Sequence, residues 1–83
     1  MIEVVHQPEA SRFIVPCEGG PAVLDYQRTA DSGVDFHRTW VPPMHRGSAM
    51  APTLVKAGLA WAQAEGLTIR ASCWYVQRFL PGS

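Results

Sequence analysis

"VDFHRTWVPPMHRGSAMAPTLVKAGLAWAQAEGLTIRAS", residues 34–72, reads in unbroken order as a strand, a long turn, a helix and a second strand. In its first part Val34, Phe36, Arg38 and Trp40 alternate with Asp35, His37, Thr39 and Val41, the period of a strand with two unlike faces. Further on, Ala51, Leu54, Val55, Gly58, Leu59 and Ala62 recur at helical spacing, while Lys56, Gln63 and Glu65 fall on other faces. Gly66 followed by Leu67 predicts the helix stop, with glycine in the left-handed position and leucine folding back. "LTIRAS" then reads as a short buried strand. Strand, helix, strand is a crossover unit, so the strands at 34–41 and 67–72 should be parallel and joined in the right-handed sense.

The turn inside this unit, "VPPMHRGSAMAPTL" from Val41 to Leu54, is longer than chain reversal demands, since about two to five residues suffice for that. It delivers the helix N-terminus to the end of the first parallel strand. Backbone N–H groups and the helix dipole there favour an anion, usually phosphate.

Upstream, "SRFIV" (Ser11–Val15) is β-branched and aromatic, and the glycine-proline turn "CEGGP" leads into a second strand, "AVLDYQR". "TADSG" turns the chain again into Val34. A three-stranded antiparallel meander results. Downstream, "WYVQRFL" reads as a final helical turn or two that Pro81 ends. The expected fold class is therefore α+β: a compact mixed sheet, one long crossover helix and a short C-terminal helix.

At 83 residues the chain should form a single domain with a small core. Folding at this size buries little more than roughly 60% of the unfolded surface, so a ligand or a second subunit in a homodimer would add stability. The chain is 47% hydrophobic and 17% charged, which argues against disorder. Seven basic and seven acidic residues cancel with no basic run, so the footprint of a nucleic-acid binder is missing. No segment approaches the roughly 20 apolar residues of a membrane span. "MIEVVHQPEA" lacks the basic-then-apolar order of a leader, and the expected location is the cytoplasm. Cys17 and Cys73 form no CxxC pair, and His6, His37 and His45 lack metal-site spacing, so reduced thiols and no metal are expected.

The segments "PEASRF", "AVLDYQR", "WVPPMHRG", "LVKAGLAWAQAEGL" and "SCWYV" stand in an order and spacing that resemble the small acetyltransferase-like domains of the Gcn5-related superfamily, specifically its single-domain YjdJ-type branch. The resemblance runs from about Glu9 to Tyr75. It implies an acyl-coenzyme A N-acyltransferase fold, acetyl-coenzyme A as the small-molecule acyl donor and an amine as acceptor. The superfamily's pyrophosphate loop has Arg or Gln, two free positions, Gly, one free position, then Gly or Ala; here Arg46, Gly47, Ser48, Ala49, Met50 and Ala51 occupy it. Arg46 and Ala51 match. Ala49 replaces glycine, and Pro52 replaces a residue with a backbone N–H. Helical dihedrals at Ala49 would let its methyl be tolerated, whereas a close approach of its backbone to phosphate would weaken binding. Proline in a first helical turn removes only an N–H without an intrahelical partner.

The resemblance further implies that the pantetheine arm pairs with backbone at Thr39, Trp40 and Val41, and that Cys73 and Tyr75 stand near the thioester. Cys73, at the opening of the last helix, is a candidate nucleophile or acetyl carrier as well as a packing residue. Tyr75 is a candidate proton donor to the departing thiolate, or a core-edge aromatic. Family members commonly carry a histidine three residues before the Val of "VP", where this chain has Arg38. His37 lies one residue earlier, on the opposite strand face unless a bulge intervenes, so it is a base candidate and equally a surface histidine. Trp40, Trp61 and Trp74 read first as core or interface packing, and Met44 and His45 as loop residues. Three functions remain open at this point: an acetyl-coenzyme A-dependent N-acetyltransferase, a non-catalytic coenzyme A-binding module, and a dimerisation domain.

Overall fold

A computed structural model describes residues 2–80. Its strands are β1 (Val5–Gln7), β2 (Arg12–Val15), β3 (Ala22–Thr29), β4 (Gly33–Trp40) and β5 (Thr68–Ala71), and its helices are α1 (Met50–Ala64) and α2 (Trp74–Gln77). The strands form one sheet in the order β1-β2-β3-β4-β5. All neighbours are antiparallel except β4 and β5, which pair in parallel through the α1 crossover. The mixed α+β fold is as expected, with one strand more than the meander foresaw. β1 pairs with β2 in register Val5 to Ile14, His6 to Phe13 and Gln7 to Arg12. His6 earns its place by stacking on Phe13 at 4.1 Å between ring centroids and bonding the Tyr26 hydroxyl through Nε2 at 2.7 Å. Pro81, expected to end α2, lies outside the described residues.

The α1 stop follows its sequence. Gly66 takes φ +70°, its N–H donates to the Gln63 carbonyl, and the Leu67 N–H donates to the Ala62 carbonyl at 2.9 Å. These are the two bonds of a Schellman motif. α1 buries Leu54, Val55, Gly58 and Ala62 against the sheet, where Phe13, Leu24, Tyr26, Val34 and Phe36 meet it. Gly58 is the point of closest approach. A Cβ there would lie 2.7 Å from Leu24 Cδ2 and 3.0 Å from Phe36 Cε1. Gly58→Ala should therefore lower stability, because an overpacking cost of about 1–3 kcal/mol exceeds a helix-propensity gain of about 1 kcal/mol. A lower urea midpoint at unchanged slope would show it; a raised midpoint would mean that Leu24 yields freely.

One feature of β4 departs from simple alternation. Leu24 pairs with Thr39 and Asp25 with Arg38, yet Tyr26 pairs with Phe36, so His37 is the extra residue of a β-bulge. The expected face Val34, Phe36, Arg38, Trp40 is thereby broken. Thr39 pairs across from buried Leu24 and shares the α1 side with Phe36, while Arg38 and Trp40 fall on the other side. There Asp25, 7% exposed, takes Arg12 at 3.0 Å and Arg38 at 3.4 Å.

Candidate active site

β4 and β5 pair only as far as Phe36 and Ala71. Beyond that point Asp35 accepts both the N–H (2.8 Å) and the hydroxyl (2.7 Å) of Ser72, and the Cys73 N–H donates to the Phe36 carbonyl at 3.1 Å. These bonds turn the chain away from β4 and open α2. Residues 38–41 consequently lose β5 as a neighbour, and a gap opens between the two parallel strands.

Two adjoining cavities occupy this gap. The first, about 280 Å³, is lined by Val41, His45, Arg46, Gly47, Ser48, Ala51, Pro52 and Tyr75. The second, about 310 Å³, is lined by Thr39, Trp40, Val41, Arg46, Ala51, Cys73, Trp74 and Tyr75. Val41, Arg46, Ala51 and Tyr75 border both, so a single groove runs from the long turn to the Cys73 thiol.

The turn end is shaped by its own backbone. A 3-10 turn at Pro43–His45 is followed by Gly47 at φ +85°, where a Cβ would meet only open space but the backbone itself favours glycine. Ser48 donates its hydroxyl to the His45 carbonyl at 2.6 Å and accepts the Met50 N–H at 3.3 Å. The Thr53 N–H is bonded to the Ala49 carbonyl, which starts the helix. Among the described residues the N–H groups of Gly47, Ala49 and Ala51 have no protein acceptor, the last two because they open a helix and Gly47 in the turn before it. Ala49 sits at φ −80°, ψ 2°, open to any L-residue, so its methyl imposes no strain. Pro52 is the third residue of α1, where a missing N–H breaks no intrahelical bond. The donor set fits a phosphate. Arg46 folds back so that its Nε donates to the Val41 carbonyl at 3.3 Å, leaving the rest of its guanidinium to the groove.

At the other end Cys73 is half-buried and its Sγ lies 3.6 Å from Thr39 Oγ1. The bulge at His37 is what gives Thr39 this neighbour. Burial alone would push the thiol up, but hydrogen bonds from the Val76 N–H, the Thr39 hydroxyl and the Tyr75 and Thr39 backbones outweigh it and hold the thiol below its ordinary value. A lowered value means thiolate at lower pH, so iodoacetamide should alkylate Cys73 with a midpoint below that of an ordinary thiol. Thr39→Val removes one stabilising bond and should move that midpoint upward; an unmoved profile would exclude the hydroxyl as a cause.

Of the residues singled out in the sequence, Thr39, Trp40, Val41, Arg46, Gly47, Ser48, Ala51, Cys73 and Tyr75 line the groove. Ala49 and Met50 line neither cavity. His37 is exposed, opposes Asp25 jointly with Arg38 at the bulge, and also lies outside both cavities. His45, Pro52 and Trp74 line the groove although sequence reasoning gave them no site role. For Trp74 the available signal was its place beside Cys73 in the first turn of α2. Cys17 is remote in role: its Sγ donates to the Gly20 carbonyl within a turn.

The model of the GCN5-related N-acetyl-transferase family matches residues 12–82. The chain belongs to this family. Among its relatives, Protein NATD1 of Bos taurus is 36% identical over 81 residues, covering 95% of this chain and 72% of the relative. Protein NATD1 of Homo sapiens is 35% identical with the same coverage, and that of Danio rerio 32% identical, with 74% of the relative covered. In this domain the parting of β4 from β5 leaves main-chain groups of a parallel strand free of β5 beside a helix N-terminus and a thiol.

Proposed function

We propose that the groove binds acetyl-coenzyme A and that this chain, as a small single-domain member of the YjdJ-type branch, transfers the acetyl group to a primary amine. The observation that carries the reading is the continuity of the groove from the Arg46 turn to Cys73. When bound, acetyl-coenzyme A supplies an acetyl group already activated as a thioester. The N–H groups of Gly47, Ala49 and Ala51 with the Arg46 guanidinium would hold the pyrophosphate, by charge-assisted bonds at a helix N-terminus. Backbone from Thr39 to Val41, unpaired with β5, would hold the amide arm. Tyr75 borders both cavities and its hydroxyl would protonate the leaving thiolate, and the Cys73 thiolate is the group able to carry the acetyl in a two-step transfer.

Calorimetric titration with coenzyme A tests the reading, and absence of binding would refute it. Arg46→Ala should weaken binding by about 1.5–3 kcal/mol, or roughly 10- to 150-fold, through loss of a charged hydrogen bond. Equal affinity of variant and parent would place the side chain outside the site.

A second reading, a non-catalytic coenzyme A-binding module, is favoured by one observation: His37, the base candidate, lies outside both cavities. Release of coenzyme A with a panel of amines separates the two readings.

A further inference from the structure

The Cys73 end of the groove has a composition that bears on the acceptor. Two aromatic residues of α2 border it, Trp74 and Tyr75, while Trp40 borders it from β4 with its side chain on the other side of the sheet. Trp74 is 69% exposed, an unusual position for so large an apolar ring on a four-residue helix. One neighbour is cationic. The Arg78 guanidinium lies 5.9 Å from both the Trp74 and Tyr75 ring centroids, whereas Arg46 borders the cavity from the end assigned to the pyrophosphate.

Among the described residues, no Asp or Glu lines either cavity. The carboxylates on the strands around the gap are engaged elsewhere: Asp35 by Ser72, and Asp25 by Arg12 and Arg38. An aliphatic ammonium entering here would meet the Arg78 charge, with no carboxylate to hold it and no side-chain base at this end of the groove beyond the Cys73 thiol itself to deprotonate it. An amine attached directly to an aromatic ring is already neutral near pH 7, because the ring delocalises its lone pair. Such a molecule needs neither group, and its flat ring matches the aromatic residues Trp74 and Tyr75.

We propose that the acyl acceptor is an aromatic primary amine, its ring seated against Trp74 and Tyr75 at the Cys73 end of the groove. The proposal rests on the acetyl-transfer reading above. In the transfer, the amine nitrogen forms a bond to the acetyl carbonyl carbon and the carbon–sulfur bond of the thioester breaks. The bonding pair leaves on sulfur, the Tyr75 hydroxyl protonates that thiolate, and one amine proton returns to Tyr75 directly or through water. The products are an N-aryl acetamide and a thiol.

The test compares 4-methoxyaniline with its saturated counterpart 4-methoxycyclohexylamine and with spermidine, by quenching or shift of indole emission in protein loaded with coenzyme A, and by mass detection of acetylated amine after addition of acetyl-coenzyme A. The aromatic amine should bind at least tenfold more tightly than either comparison amine and should be the preferred acceptor. Trp74→Ala should weaken its binding about tenfold, the scale of one stacked aromatic contact, and Trp74→Phe should restore most of it. Trp74 is exposed enough for both variants to fold. Equal or better binding and turnover of spermidine or the cyclohexylamine would overturn the acceptor while leaving acetyl transfer intact. Failure of coenzyme A to bind in calorimetry would instead remove the acetyl-transfer reading, and the acceptor proposal with it.

Discussion

Phe36→Ala should destabilise the protein by about 3–5 kcal/mol, the cost of emptying a fully buried aromatic site. A chain of this length has about 4–12 kcal/mol in total, so the variant should be partly or wholly unfolded at 37 °C. Phe36 is 0% exposed, meets the Tyr26 ring edge-on at 6.0 Å between centroids, and faces α1 at Gly58. Its carbonyl also accepts the Cys73 N–H, so the residue that fills the core also makes a backbone hydrogen bond that holds the chain after β5 to β4 where the two strands part. Loss of the side chain should therefore lower the urea midpoint and weaken coenzyme A binding together. Phe36→Leu, which refills most of the volume, should cost less than about 1.5 kcal/mol. An alanine variant with a near-parental midpoint would mean that the sheet and α1 close over the vacated space.

Brief exposure to acetyl-coenzyme A should leave a thioester-linked acetyl group on Cys73 and none on Cys17, as read by peptide mass mapping. The two thiols differ in setting. Cys73 opens α2 with several hydrogen bonds that favour its thiolate, whereas Cys17 donates to a carbonyl inside a turn. If the acetyl passes through Cys73, then Cys73→Ala should reduce transfer on the order of 10²-fold or more, the scale on which removal of one reacting group is felt. Cys73→Ser is the informative companion, since it keeps the packing and removes the accessible anion. Full transfer by Cys73→Ala would establish direct attack by the amine and return Cys73 to a packing role.

Much of the site was legible because its signals are local. Arg46, Gly47 and Ser48 ahead of a helical run announce a helix opening that suits an anion, whatever the rest of the chain does. Cys73 and Tyr75 follow a short strand and open α2, and their place at the groove mouth comes with that connection. Trp74 reads as packing in the sequence because an indole there carries no mark of exposure. Only the short length of α2 and its position over the gap leave that ring in solvent. β1 was not foreseen for a related reason: three residues carry no periodicity, and Val5–Gln7 are a strand because β2 offers them an edge and Phe13 offers His6 a ring.

By itself the sequence determined the crossover of residues 34–72, the stop of α1 at Gly66 and the long turn that carries the phosphate-type donors, because each rests on residue spacing and backbone preference within a few positions. The tertiary structure alone decided which side of β4 faces the groove. Strict alternation would set Arg38 with Phe36 and send Thr39 to the other side. The bulge at His37 reverses this and brings the Thr39 hydroxyl to the Cys73 thiol. A bulge belongs to a pair of strands: it exists because Asp25 on β3 pairs with Arg38, and Tyr26 with Phe36, and no period along a single strand records what its neighbour requires.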